Sequence, residues 1–232
     1  MRLRSKLTAI AAALLVAGSA SATDSDPNNP SCPASPNWST NRTMQLTPLE
    51  RNGQTVLLAE GVIDSDLPGR LQRTLDGNAD ITEIWLRSPG GDALAGNDAG
   101  MLLRTQFPGI VTRIPAGWAC FSACNFMFMG GQLRIIEPGA HFIVHMFTHT
   151  GDRTAIRQGL EGGGDDAVEL IGEIEQSSAQ LATEDNDFLI RMGVSRRLLR
   201  EVMYATSAVG EGETRRCLTR QEAYDYNVAN VE

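Results

Sequence analysis

Ser122 sits in the stretch Gly117–Gly131, GWACFSACNFMFMGG, at the head of an apolar run of Phe126, Met127, Phe128 and Met129. Two roles are open to a serine in that place. It can cap a buried helix, as serine commonly does, or it can be presented as a nucleophile. Free backbone N–H groups and the dipole at a helix N-terminus favour a negative oxygen. If Ser122 attacks a carbonyl, the N–H of Ala123 and that of Gly90 or Gly91 are candidates to hold the oxyanion. These glycines belong to Ser88-Pro89-Gly90-Gly91-Asp92, which follows an apolar strand. Two glycines after a proline let the backbone turn sharply and bring N–H groups close to a ligand; the plainer reading is an ordinary strand-to-helix turn.

A nucleophilic serine needs a base. The chain has three histidines, His141, His145 and His149, spaced by four. On a strand His141 and His145 point the same way, and either could take the Ser122 proton. A buried, hydrogen-bonded histidine is the plainer reading for at least one of them. No Asp, Glu or Cys signature nearby completes a ligand set, so no metal is expected. The four cysteines are Cys32, Cys120, Cys124 and Cys217. An even count suggests up to two disulfides with three possible pairings. Cys120 and Cys124, one helical turn apart, could pin the serine turn, or one of them could pair with Cys32 or Cys217.

Beyond these residues, the chain has an address and an order of elements. MRLRSK is basic, LTAIAAALLVAG is apolar, and Ala20-Ser21-Ala22 is a small-x-small cleavage site. Residues 1–22 therefore read as a secretory signal peptide cut after Ala22, and the apolar run is too short to span a membrane. The expected location is periplasmic or secreted, where disulfides persist. The net charge is −8, and no lysine follows Lys6. An acidic chain without a basic cluster is a poor partner for nucleic acid or anionic lipid.

Residues 23–46, rich in Asn, Pro and Ser, read as a flexible leader, and 47–232 as one domain. From Thr55 the chain predicts a strand, then a helix over Leu67–Leu75, a strand over Ile81–Leu86 running into SPGGD, and a helix over Leu94–Thr105. GIVTRI, Leu133–Ile136 and His141–His145 follow as strands. This alternation argues for an α/β fold with a mainly parallel sheet and crossover helices. Thr150–Asp166 reads as a Gly-rich mobile loop. From Ala167, the positions Val168, Ile171, Ile174, Ser178, Leu181, Phe188 and Met192 approximate one helical stripe, predicting a long helix or a helix pair. Ser195–Met203 predicts a shorter helix.

The order strand–SPGG–helix–strand–Gly-x-Ala-x-x-Ser–apolar helix–Pro-x(6)-His resembles the proteolytic subunit of the Clp protease and the wider ClpP/crotonase superfamily. TVLLAEGVID, IWLRSPGGDALAG, GWACFSACNFMFMGG, PGAHFIVH and RCLTRQEAYDYNVAN each resemble a family segment, in the family's order, over roughly Thr55 to Asn230. The resemblance implies stacked ββα units with a C-terminal helical region, and it singles out His145 over His141. It implies a serine peptidase acting on a peptide or protein substrate, with Ser122 as nucleophile, His145 as base, and no cofactor. The family's acid falls at Arg215, so Glu213 or Glu211 could orient the imidazole instead, or Ser122 and His145 could act as a dyad. The alternative is a catalytically inactive binding or scaffold protein; a crotonase-type thioester enzyme is a third reading. The segment after His145 departs from the family's docking region, so a homo-oligomer stays open and no ATPase partner is expected.

Overall fold

The computed structural model describes residues 25–26, 29–146, 153–161, 163–203 and 215–232. After a short pair, β1 (Ser25–Asp26) and β2 (Asn29–Pro33), come β3 (Gln45–Arg51) and β4 (Gln54–Glu60). Then follow α1 (Leu67–Asp76), β5 (Ile81–Arg87), α2 (Ala93–Gln106), β6 (Val111–Ile114) and β7 (Ala119–Phe121). Next are α3 (Ala123–Gly130), β8 (Leu133–Ile136) and β9 (His141–His145). The remainder is α4 (Arg153–Gly159), α5 (Gly164–Met192), a π-helical turn (Leu199–Met203), β10 (Arg215–Cys217) and α6 (Arg220–Asp225).

The main sheet has five strands in the order β3-β4-β5-β6-β8. β4, β5, β6 and β8 pair in parallel, and only β3 is antiparallel. The fold is thus α/β with a mainly parallel sheet. Each crossover helix is built to cover it. α1 buries Leu67, Leu71 and Leu75, one face of the helix. α3 is apolar except for Asn125 and is buried along its whole length. A second sheet, β10-β9-β7, pairs β7 with β9 in parallel and β9 with β10 antiparallel. A bridge between Ser88 and Cys120 ties the end of β5 to β7.

Several stretches depart from the sequence expectation. β3 was not anticipated, although Asn52-Gly53 signals it: both residues have positive φ, 51° and 78°, as a two-residue hairpin turn demands. The stretch 23–46, expected to be flexible, is anchored at several positions from Cys32 onward. Cys32, Ser39 and Met44 are buried, because Cys32 is bonded to Cys217 and Trp38 stacks on Phe121 with centroids 5.6 Å apart. Within the expected loop 150–166 the chain forms α4, and α5 starts at Gly164. The region from Ala167 is one helix, not a pair. Val168 and Ile171, expected on its buried stripe, are exposed, whereas Phe188 and Met192 are buried. Among the described residues no helix is long and apolar enough to cross a membrane.

Candidate active site

Two sheets meet where β5 and β7 end, and the meeting point is built from glycine. The Gly90 carbonyl accepts from the Ile63 N–H at 2.8 Å, and the Asp92 N–H donates to the Ile63 carbonyl at 2.9 Å. This pins the Gly90-Gly91 turn against the chain leaving β4. A Cβ on Gly90 would lie 2.6 Å from both the Phe121 carbonyl oxygen and Ser122 Cβ, and 3.0 Å from the Ala123 nitrogen. Only glycine allows the turn to approach the serine this closely.

Ser122 stands at the N-cap position of α3 without the side-chain cap that its type suggested. Its side chain makes no capping hydrogen bond. Its backbone sits at φ 57° and ψ −125°, a region costly for a residue with a Cβ. That sharp strand-to-helix corner turns Oγ away from α3 and toward β9. His145 Nε2 lies 2.7 Å from Ser122 Oγ. The His145 ring also hydrogen-bonds to the Met146 backbone. In the tautomer with its hydrogen on the other ring nitrogen, Nε2 accepts from the Ser122 hydroxyl. Burial pushes the His145 pKa below its ordinary value, with the Met146 bond opposing. Burial thus favours the neutral ring, the form that can take a proton.

The expected oxyanion donors separate. The Gly90 N–H is already given to Ser88 Oγ at 3.0 Å, so Gly90 supplies close approach and not a donor. For the Gly91 and Ala123 N–H groups no acceptor is found among the described residues. Both flank the serine, Ala123 directly and Gly91 one peptide beyond the Gly90 contact.

His141 lies at the other end of β9, opposite Ala119, with its pKa lowered by burial. Ser122 does not contact it. His149, Glu211 and Glu213 lie outside the described residues. Arg215 is the direct cross-strand partner of His145. Its guanidinium sits over Trp38 at 5.7 Å, Trp38 stacks on Phe121, and Phe121 tilts against the His145 ring at 4.7 Å. Among the described residues, an aromatic wall thus backs the imidazole on this side.

The cysteines pair as Cys32–Cys217 and Cys120–Cys124. The second bond spans Ser122 and closes the strand-to-helix corner covalently. The first fastens the N-terminal stretch to β10, two residues from Arg215. The contribution of α5 to the site was missed by sequence reasoning. α5 brings Leu181 and Asp185 to the cavity that Ser122, Ala123, Asn125 and His145 line. The acidic composition of α5 hid Asp185 among residues that face solvent.

No protein-family model and no curated protein sequence matches this chain. Among solved structures it is similar to a mutant of ClpP1 from Listeria monocytogenes, at 16% identity and a TM-score of 0.47, covering 74% of this chain and 86% of that one. It is also similar to a mutant of the 1510-N membrane-bound stomatin-specific protease, at 16% identity and a TM-score of 0.47, covering 73% of each chain.

Proposed function

We propose that this chain is an exported serine peptidase with Ser122 as nucleophile and His145 as base. The observation that carries this reading is the 2.7 Å approach of Ser122 Oγ to His145 Nε2, made by a serine whose backbone is held at φ 57°. Ser122 Oγ attacks a peptide carbonyl carbon as its proton passes to Nε2. The carbonyl oxygen becomes an oxyanion facing the Ala123 and Gly91 N–H groups. Collapse breaks the C–N bond, and the amine leaves with the proton from His145. Water, deprotonated by the same imidazole, then hydrolyses the acyl-enzyme and restores Ser122. The Met146 backbone holds the ring in this reading, with Glu213 or Glu211 as candidate third members. The basic-apolar N-terminus and the two disulfides support export.

The test is labelling of the oxidised protein, without residues 1–22, by a fluorophosphonate, followed by peptide mapping. Ser122 should carry the label, and His145→Ala should slow labelling by about 100-fold or more. A folded protein left unlabelled at Ser122 would sink the proposal. It would favour the second reading, a non-catalytic binding protein, which Arg215 opposite His145 motivates.

A further inference from the structure

Asp185 is 6% exposed and Asn125 3% exposed, and both line the cavity beside Ser122. Buried polar groups ordinarily have partners. The Asn125 amide donates to the Ile143 carbonyl at 2.7 Å, and its buried Oδ1 has no partner among the described residues. The Asp185 carboxyl has no hydrogen bond or ion pair among the described residues. No hydrogen bond or ion pair joins it to His145, whose ring bonds to Ser122, so it is not placed to orient the base. Two residues lining one small cavity thus carry acceptors with no donor among the described residues.

We propose, resting on the peptidase reading above, that Asp185 with Asn125 Oδ1 selects substrates carrying a cationic side chain, lysine or arginine, on the acyl side of the cleaved bond. The side chain next to the attacked carbonyl is the one within reach of a cavity lined by Ser122 and Ala123. An ammonium or guanidinium there supplies the donors that both oxygens lack. Leu181, on the same face of α5 one turn earlier, suits the methylene stem. Burial and the neighbouring Glu184 push the Asp185 pKa up to about 7, so an entering cation relieves a cost already present in the free protein. The adjoining groove between α2 and α5 carries Asp98, Glu184 and Asp187 against Arg191 alone, a field that attracts cations.

The test compares peptidyl diphenyl phosphonates ending in lysine or in the neutral isostere norleucine. Each forms an Oγ–P bond at Ser122, with the proton passing to His145 and a phenoxide leaving. The expected result is faster labelling by the lysine probe, by about tenfold or more, and a ratio near one in Asp185→Asn. Equal rates in a wild type that a small fluorophosphonate labels would overturn the inference and leave the nucleophile standing. A preference for glutamine over lysine would also overturn it. Binding of butylguanidinium to Ser122→Ala, followed by thermal shift, reads the same site without the nucleophile. It should raise the melting temperature, and Ser122→Ala/Asp185→Asn should lose the shift. No shift in Ser122→Ala overturns the cation site whether or not Ser122 reacts.

Discussion

Ser122 holds a backbone conformation that its own side chain disfavours, and the surrounding corner must over-determine it. Replacing the strained residue with glycine removes the conflict. Ser122→Gly should be more stable than Ser122→Ala by about 1 kcal/mol in urea unfolding, since only alanine keeps a Cβ at φ 57°. Equal stabilities would mean that the corner carries no strain. The neighbouring imidazole sets a pH dependence with a definite sign. Protonated His145 cannot accept from Ser122, and burial lowers its pKa. Labelling of Ser122 should therefore rise with pH through a midpoint below 6.5 and be flat by about pH 8. A midpoint above 6.5 would contradict the burial of the ring. At this scale the sequence was informative in part. Ser122, His145 and the SPGG turn announced themselves by residue type and order. Which glycine N–H stays free was not legible, because that depends on the Ser88 hydroxyl folding back onto Gly90. Asp185 was invisible because burial of one carboxylate in an acidic helix follows from tertiary packing.

The apolar helix α3 reaches its place through small residues. A Cβ on Gly96 would lie 2.5 Å from the Ala123 carbonyl oxygen, and one on Gly100 2.4 Å from that of Phe126. On the other side, a Cβ on Gly130 would lie 2.3 Å from the Gly100 carbonyl oxygen. The two helix backbones touch with no side chain between them, and α3 carries Ser122 at its N-terminal end. Gly100→Ala should therefore destabilise the protein by roughly 1–3 kcal/mol in spite of alanine's better helix propensity, and slow Ser122 labelling as α3 shifts. Unchanged stability would show that the helices can part freely. The spacing of the crossover helices and the parallel strands was readable from apolar periodicity. β3, α4 and the anchored N-terminal stretch were not. β3 alternates weakly and rests on one turn signal, α4 is masked by the glycines after it, and Cys32 and Met44 are held by partners far away in sequence.

Across the whole molecule, one buried cation joins distant segments. Arg134 is 1% exposed and donates to the carbonyls of Val228, Asn227 and Gly131 at 2.8, 2.7 and 2.8 Å. Burial and the nearby Arg104 lower its pKa to about 10, which still leaves it charged at neutral pH. Backbone carbonyls at the end of α3 and in the C-terminal stretch solvate it in place of a carboxylate. Arg134→Met should cost about 2 kcal/mol or more, because the Val228 and Asn227 carbonyls lose this donor, while Gly131 keeps Arg104 at 3.1 Å. Arg134→Lys should restore little of it, lacking the planar fork; full recovery by lysine would show that charge alone matters. The two disulfides have a consequence for how the chain is made. They are nested, with Cys120–Cys124 inside the span of Cys32–Cys217, whose partners are 185 residues apart. A chain emerging from its N-terminus offers Cys32 two wrong partners before the right one exists. Closing the short loop early withdraws both competitors, so the bond that frames Ser122 also acts as a chaperone for the pairing of Cys32.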